Sequence, residues 1–341
     1  MTRRRHPGGP IIVMHTTRDQ KDKANPYTLM LMSSMPGDIK AVDFRWTRAV
    51  AGKCDVVHLH WPELLLRDSL AWKRVLRKVL FTVMYLRWAA TRMPIVETVH
   101  NISPHEPGSR YERKILSALS RRTTAWIKLN PVDISVPAGR IVEIPHGHYR
   151  DWFKDCPRPD FARGRYLFFG LIRPYKNVEG LIDAFTQLND PDTSLRIVGA
   201  SSDPAFHDAI LVLQAQRDDV SAECTFVSDW QLAEEIGRAE LVVLPYKEFY
   251  NSGAALLALS LGRPVLTSRS RASELLQDEF GKEWVLLYSG LLSGADLKDA
   301  LQLRRELQTE CAMPDLSQRE WSSISDAHAK LYLSVSKPRR G

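Results

Sequence analysis

The sequence has few cysteines and no long apolar run. Its 341 residues contain four cysteines, widely separated and without a Cys-x-x-Cys pair. This argues against a disulfide framework or a cysteine zinc site and is typical of a reducing compartment. The apolar runs are far shorter than the ~20 residues that span a bilayer, and no apolar signal segment follows the opening MTRRRHPGGP. We therefore expect a cytoplasmic protein that is not secreted.

Several ligand-binding motifs are also missing. The chain has no Walker lysine motif and no Gly-x-Gly-x-x-Gly, so ATP hydrolysis and dinucleotide redox chemistry are poor interpretations. No Asp-x-Asp metal motif stands beside the end of a predicted strand. We therefore expect no metal and no cofactor.

Charge is unevenly distributed along the chain. Residues 1–150 carry 25 basic and 12 acidic side chains, a net charge of +13, whereas residues 151–341 carry 22 and 28, a net charge of −6. The basic half could meet nucleic acid, anionic lipid or an acidic substrate. Nucleic acid is disfavoured because the aromatic residues are not interleaved with the cations as a base-stacking groove requires.

Short apolar runs alternate with helical patterns in two series. The runs predicted as strands lie at 11–16, 41–44, 54–61, 94–100 and 140–147, and again at 166–170, 195–199, 224–228, 241–246 and 264–268. A proline-rich segment without apolar periodicity, 154–165, separates the series and reads as a linker. This alternation predicts an α/β protein with two doubly wound parallel sheets, whose ligands lie beyond the carboxyl ends of the strands.

Two segments of the second series could hold a diphosphate. In NSGAALLALSLGRPV (251–265), Asn251, Ser252 and Gly253 precede an apolar helix, so they form either an ordinary helix cap or an anion site at the bare N–H groups. In FFGLIRPYKN, Arg173 and Lys176 follow a strand and are close enough in sequence to reach one diphosphate. The second segment alone is a weak signal, because such pairs are usually solvated.

The residues also carry a family resemblance. The strings HLHWPELLLR, HNISPHE, HGHYRDWF, FGLIRPYK, NSGAALLALSLGRPVL and PDLSQREW resemble GT-B glycosyltransferases, and more closely the GDP-mannose-dependent 4-β-mannosyltransferases of xanthan repeat-unit assembly. The resemblance implies two facing Rossmann-like domains. Residues 1–153 would bind a polyprenyl-diphosphate-linked acidic oligosaccharide, and 154–316 the donor GDP-mannose. The last helix, 317–335, would cross back to the first domain.

The same resemblance suggests how the donor is held and which stereochemistry follows. Tyr246, Lys247 and His146 would line the donor cleft. Many retaining GT-B enzymes have two glutamates eight residues apart, and the second position is Leu257 here. This departure favours an inverting enzyme, with metal-independent stabilisation of the leaving GDP.

An inverting displacement needs a base that takes a proton from the acceptor hydroxyl. The candidates lie at or just after the ends of two predicted strands: His58, His60, Glu63, His100, His105 and Glu106. Glu106 and then Glu63 are preferred, with His100 as a further candidate. Each histidine can equally be a structural residue satisfied in the core.

A basic helix is predicted over 69–92. Its cations, Lys73, Arg74, Arg77 and Lys78, fall on one face, and an apolar stripe of Leu and Val falls on another. The helix either packs on its sheet with a solvated cationic side or lies on a membrane, with Trp72, Tyr85 and Trp88 at the headgroups. The second interpretation predicts a peripheral protein on the inner face of the cell membrane.

Two other functions remain open from the sequence. A GT-B transferase could use another nucleotide sugar or retain stereochemistry. A non-catalytic binding protein with a basic half is the third interpretation.

Overall fold

The computed structural model describes residues 9–17, 25–100, 108–133, 135–201, 203–307 and 313–336. The chain divides into two compact units. The first comprises Met1–Gly147 and Gln318–Gly341, and the second comprises His148–Ser317.

The first unit contains a six-stranded parallel sheet in the order β2-β1-β3-β4-β5-β6. Its strands are β1 Ile11–His15, β2 Ile39–Val42, β3 Val56–Leu59, β4 Ile95–Val99, β5 Ala125–Lys128 and β6 Arg140–Glu143. All four residues of β3 are buried, as expected for a central strand covered on both faces. The strand predicted over 41–44 begins and ends two residues earlier, although Phe44 is still buried just beyond its end.

The described residues of the first unit form five α-helices. They are α1 Pro26–Ser33, α2 Trp46–Ala51, α3 Ala71–Ala90, α4 Arg110–Ser120 and the C-terminal α11 Trp321–Val335. A short 3-10 helix, Pro62–Leu65, follows β3. The C-terminal helix packs against α1, and its Tyr332 hydroxyl lies 2.7 Å from His58 Nδ1.

The second unit repeats the architecture with a different strand order. Its parallel sheet runs β12-β11-β10-β7-β8-β9, with β7 Arg165–Phe169, β8 Ser194–Val198, β9 Val220–Glu223, β10 Leu241–Leu244, β11 Val265–Ser268 and β12 Val285–Tyr288. Its helices are α5 Val178–Leu188, α6 Pro204–Gln216, α7 Asp229–Arg238, α8 Gly253–Ser260, α9 Arg271–Phe280 and α10 Gly294–Glu306. This is the Rossmann strand order, whose switch point lies between β7 and β10.

One predicted strand of this unit is wrong. The sequence predicts a strand over 224–228. In the structure the strand lies earlier in the chain, at β9 (Val220–Glu223), and it pairs with β8. Residues after β9 face solvent, with Phe226 75% exposed. Ser228 forms a capping box with Gln231 that starts α7, so the chain leaves the sheet before the apolar run ends.

Candidate functional site

The switch point of the second unit brings together two segments that are far apart in sequence. Strands β7 and β10 are neighbours, so the loops that follow them emerge at the same edge of the sheet. The β7 loop contains Arg173 and Lys176, and the β10 loop contains residues 246–253. Gly170, at φ +111°, begins the first loop in a conformation that side chains rarely adopt. Ligands of doubly wound sheets bind at such a point.

Lys176 is a half-buried cation at this edge. Its Nζ lies 5.2 Å from the ring centre of Tyr246 and 5.9 Å from that of Phe168. A Cβ at Gly170 would approach the same Nζ to 2.9 Å. Burial, with a smaller effect from nearby Arg173, lowers the pKa of Lys176 to about 8. The ammonium group therefore has lost part of its hydration, and a bound anion would compensate for that loss.

Tyr246 joins the two loops. Its ring contacts Lys176, and its hydroxyl hydrogen-bonds Ser252, although burial still raises the pKa of Tyr246 above its ordinary value. The Lys247 amide donates to the Tyr175 carbonyl oxygen at 2.9 Å, which fixes the backbone of one loop to the other. The predicted residues Lys176, Tyr246, Lys247 and Ser252 therefore lie in one cluster.

The start of α8 combines both interpretations of the Asn-Ser-Gly segment. The Ser252 side chain caps the helix by accepting from the Ala255 amide at 3.0 Å. The capping interpretation is therefore confirmed for Ser252. Within the described chain, no hydrogen-bond partner is recorded for the amides of Gly253 and Ala254, the first two of the helix. These two N–H groups retain the capacity to hold an anion.

Three further residues border this region. The Tyr149 hydroxyl lies where a Cβ at Gly253 would approach it to 3.2 Å, so glycine leaves space between this ring and the helix start. Arg173 lines a small pocket beside the β7 and β8 loops, together with Ile172, Pro174, Val178, Glu179, Ser201, Asp203 and Phe206. Asn251 is half-buried directly before the helix cap.

In the first unit, the switch point lies between β1 and β3, and histidines cluster there. His15 Nδ1 lies 3.2 Å from His60 Nε2, and His60 Nδ1 lies 3.1 Å from His100 Nε2. These three rings end β1 or follow β3 and β4 directly. They form one row of hydrogen-bonded imidazoles at the carboxyl edge of the sheet.

The histidines of this cluster are neutral at physiological pH. Burial is the main cause and repulsion from neighbouring histidines, which include His146 and His328, is a smaller one. Together they lower the pKa of His15 to about 3 and those of His58, His60 and His100 well below the ordinary range. His58 lies 2.7 Å from both the Tyr332 and the Thr98 hydroxyls. The alternative that His58 and His60 are satisfied core residues is therefore borne out in their contacts.

The same cluster bears on the expectation of no metal. Among the described residues, the nitrogens of His15, His58 and His60 lie within 4.8 Å of one another, the separation at which an ion could be held. Both nitrogens of His58 and of His60, however, already contact other side chains. The observed arrangement is a hydrogen-bonded cluster, and metal independence remains a prediction.

Of the two candidate carboxylates, the structure describes Glu63 but not Glu106. Glu63 lies half-buried in the 3-10 helix after β3, and burial raises its pKa despite its own backbone hydrogen bond and the nearby Arg67. Glu106 and His105 lie outside the described residues. Glu97 in β4, which the sequence did not single out, is a half-buried acid, and loss of solvation raises its pKa to about 8. It stands in the middle of an apolar strand, the one signal that could have identified it.

His146 belongs to the first unit, whereas the other predicted donor-site residues belong to the second. Its Nδ1 donates to the Gly147 carbonyl oxygen at 2.7 Å, and its ring lies 4.4 Å from that of Tyr27. Burial lowers the pKa of His146 to about 4. Its observed contacts are those of a packed, neutral side chain.

Helix α3 exposes its apolar stripe. Its buried side consists of Phe81, Met84 and Trp88. The residues that face solvent, 43–62% exposed, are Leu70, Val75, Leu76, Val79, Val83 and Leu86. The helix does pack on its sheet, but through Phe81, Met84 and Trp88 rather than through the Leu and Val stripe. The placement of Trp88 among headgroups is wrong, since this ring is 1% exposed.

Comparison with known proteins agrees with this architecture. A family model described as glycosyl transferases group 1 matches residues 163–301. Two curated proteins from Xanthomonas campestris pv. campestris, both named GDP-mannose:glycolipid 4-beta-D-mannosyltransferase, are 39% and 38% identical over 325 residues, 95% of this chain and 93% of each relative. The chain belongs to this glycosyltransferase family.

Solved structures place the glycosyltransferase in the GT-B fold. A glycosyltransferase from Rickettsia africae matches with a TM-score of 0.62 and 12% identity, covering 96% of this chain and 98% of that one. Anabaena HepE in complex with UDP matches with a TM-score of 0.61 and 13% identity, covering 95% and 100%. At these identities the likeness concerns the fold alone. The predicted fold class, family and enzyme class are thus confirmed.

The resemblance to GT-B enzymes singles out one position of α8. Leu257, where a second glutamate would stand, is an apolar residue of α8, 8% exposed. A carboxylate at this position would have to be buried. Leu257 therefore cannot supply a charged contact to a bound sugar.

Proposed function

We propose that this glycosyltransferase transfers mannose from GDP-mannose to a polyprenyl-diphosphate-linked acidic oligosaccharide in exopolysaccharide assembly. The observation that carries the proposal is 39% identity over 95% of the chain to a protein named for GDP-mannose and a glycolipid. The cation and amide cluster of the second unit supports a diphosphate donor, and the net charge of +13 on residues 1–150 supports an acidic acceptor.

Donor specificity is tested by binding and by transfer. Calorimetry with GDP, UDP and ADP should give clear heat with GDP and at least about tenfold weaker binding with the other two, a difference of about 1.4 kcal/mol. Radiolabelled GDP-mannose should label a lipid-linked acidic oligosaccharide, whereas UDP-sugars should not. Preferred binding of UDP or ADP would instead support the alternative of another nucleotide sugar. Salt-sensitive DNA binding without nucleotide-sugar affinity would support the non-catalytic alternative.

The proposed chemistry is a single inverting displacement. A base takes the proton of the acceptor hydroxyl, its oxygen bonds to the sugar C1, and the C1–O bond to GDP breaks with both electrons leaving on the diphosphate. Glu106, Glu63 and His100 are the candidate bases. The raised pKa of Glu63 favours it as a proton acceptor near neutral pH. NMR of the product should show a β-linked mannose, and an α linkage would contradict inversion.

The leaving diphosphate is stabilised without a divalent ion in this proposal. Arg173 and Lys176 supply positive charge, and the helix start at Ser252 and Gly253, beside Asn251, supplies N–H donors. Activity should persist in excess EDTA. Loss of activity in EDTA with recovery on added Mg²⁺ or Mn²⁺ would contradict this part of the proposal. Arg173→Ala should weaken GDP binding, whereas Glu63→Gln should lower turnover with GDP affinity little changed.

The proposed acceptor lies in a membrane, and α3 is the proposed contact. The helix is 20 residues long and exposes an apolar stripe with Trp72 64% exposed at its beginning. Such stripes are unusual on water-facing helices and typical of helices that lie in the lipid interface. No helix in the described part of the chain is long and apolar enough to cross a bilayer. We propose peripheral binding to the inner face of the cell membrane.

Vesicle flotation tests the membrane contact. Val79→Glu with Val83→Glu should abolish binding to vesicles that contain anionic lipid, because both side chains are exposed and the core is untouched. Leu211→Glu, on the exposed side of α6, is the matched control and should float like wild type. Equal flotation of the double variant would exclude α3 as the contact.

A further inference from the structure

Trp61 has an unusual backbone conformation at the edge of the first sheet. Its φ of 45° and ψ of 60° fall in the left-handed region, which bulky residues rarely occupy. The other described non-glycine residues with positive φ are Arg92, Asn177 and Asn189, and asparagine tolerates this region well. Pro62 follows Trp61 and disfavours the right-handed helical region for it. Strained residues of this kind concentrate at functional sites.

Hydrogen bonds on both sides hold Trp61 in this conformation. The His60 amide donates to Thr16 Oγ1 at 2.6 Å, and the Thr16 hydroxyl lies 3.0 Å from the His60 carbonyl oxygen. On the other side, the Leu64 amide donates to the Trp61 carbonyl oxygen at 3.0 Å. The conformation is therefore imposed by its surroundings, which direct the side chain to one place.

That place is the face of His100. The two rings stack with centroids 3.8 Å apart and planes 19° apart. Among the described side chains, the ring contacts recorded for Trp61 are with His100 and, at 6.2 Å, with His60. The indole is nevertheless half-buried rather than buried, so part of it remains in contact with solvent. One face is covered by imidazole, and the part of the indole that remains exposed is available to a ligand.

The position of this face indicates which ligand it takes. Trp61 is the second residue after β3, at the β1–β3 switch point, and the candidate base Glu63 is two residues further along the chain. Pyranose rings present an apolar C–H face that packs on flat aromatic surfaces, while their hydroxyls need polar groups at the rim. A flat indole and a carboxyl group two residues apart in the chain would supply both.

We propose that Trp61 is the stacking platform for the acceptor sugar that receives the mannose. The left-handed backbone holds the indole flat against His100, and the sugar ring lies on the opposite face with its reactive hydroxyl toward the 3-10 helix that carries Glu63. The inference rests on the proposed function in taking the first unit as the acceptor side. It adds the residue that positions the acceptor.

Trp61→Asn tests the platform, since asparagine accepts the left-handed backbone but offers no stacking surface. With a water-soluble acceptor analogue, the KM for the acceptor should rise at least about tenfold while the KM for GDP-mannose changes less than about twofold. The melting temperature should stay level or rise, because the strain is relieved. Trp230→Asn, at a 57% exposed tryptophan of the second unit, is the matched control and should leave both KM values unchanged.

Other outcomes separate the possible failures. A folded Trp61→Asn protein with an unchanged acceptor KM overturns the platform. If this variant does not fold, Trp61→Phe and Trp61→Leu decide: stacking predicts a near-wild-type acceptor KM for Phe and a severalfold higher one for Leu, and equal values overturn it. If wild type transfers no mannose, the proposed function fails, and saturation-transfer NMR between the acceptor oligosaccharide and wild type or Trp61→Asn still tests the platform.

Discussion

Lys176→Met is expected to stabilise the unliganded enzyme and to weaken its complex with GDP. The native side chain is a cation confined beside Phe168, Tyr246 and Arg173. Methionine has a similar length, is flexible and packs well against aromatic rings. The substitution therefore removes the charge and largely keeps the shape.

The magnitude follows from the pKa. A value of about 8 in the fold against 10.5 ordinarily corresponds to roughly 3 kcal/mol by which the charged form is disfavoured at pH 7. This is an upper limit, because part of the side chain touches solvent. Between pH 8 and 10.5 the unfolded chain binds more protons than the fold, so the free energy of unfolding rises with pH in that window. The Met variant should exceed wild type by up to about 3 kcal/mol at pH 7, and this advantage should shrink toward pH 10.5.

Binding has the opposite dependence on pH. A diphosphate favours protonated Lys176, so the Kd for GDP should be flat below pH 8 and rise above it, about tenfold between pH 7 and 9 if only the charged lysine binds. Lys176→Met should bind weakly without this dependence. Lys176→Arg, whose charge persists throughout, should show no rise between pH 7 and 9 if it is accommodated.

Urea denaturation at several pH values measures the first effect, and titration calorimetry in buffers of different ionisation enthalpy measures the second. Proton uptake on GDP binding should approach one at pH 9 and be near zero at pH 7. Lys282→Met, a lysine elsewhere in the second unit, is the control. The reasoning is refuted if Lys176→Met is less stable than wild type at pH 7 and its Kd equals that of wild type.

Two further predictions concern the first unit. The buried histidines His15, His146 and His328 have pKa values of about 3, 4 and 4, so below pH 6.5 these side chains take up protons in the unfolded chain before they do so in the fold. The free energy of unfolding, measured in urea, should therefore fall from pH 6.5 toward pH 4 by up to roughly 1.4 kcal/mol per pH unit for each histidine. A flat profile would contradict their burial. Gly147→Ala should cost about 1–3 kcal/mol because its Cβ would overlap the Trp321 ring of α11, and a urea midpoint equal to that of wild type would show that the helix can shift away.

The fold was predictable because its signals are local. Helix α5 has the predicted bounds of 178–188, and most strands match apolar runs to within two residues. The failure at 224–228 shows the limit of the same logic. An apolar run does not show whether its residues pair in a sheet or face solvent. Here the capping box of Ser228 starts α7 directly after the run, and the run itself lies outside the sheet.

The candidate site was predictable only in part, because it depends on strand order. The spacing of Arg173 and Lys176 was visible in the sequence, but the contact between Lys176 and Tyr246 requires β7 and β10 to be neighbours, although two strands separate them in the chain. The imidazole row has the same origin. His15, His60 and His100 meet because β1, β3 and β4 are adjacent, and no single segment contains more than two histidines of the cluster.

Helix α3 shows why periodicity alone leaves a functional question open. Heptad-like spacing defines the faces of a helix but not the face that packs. The structure assigns the core to Phe81, Met84 and Trp88, which offer more volume than the valines and leucines of the other stripe. That leaves a continuous apolar surface with cations at its flank, which water solvates poorly. Burial of this stripe at a lipid interface would remove that hydration penalty, so the assignment of the core residues is what turns an ambiguous amphipathic pattern into an argument for the membrane.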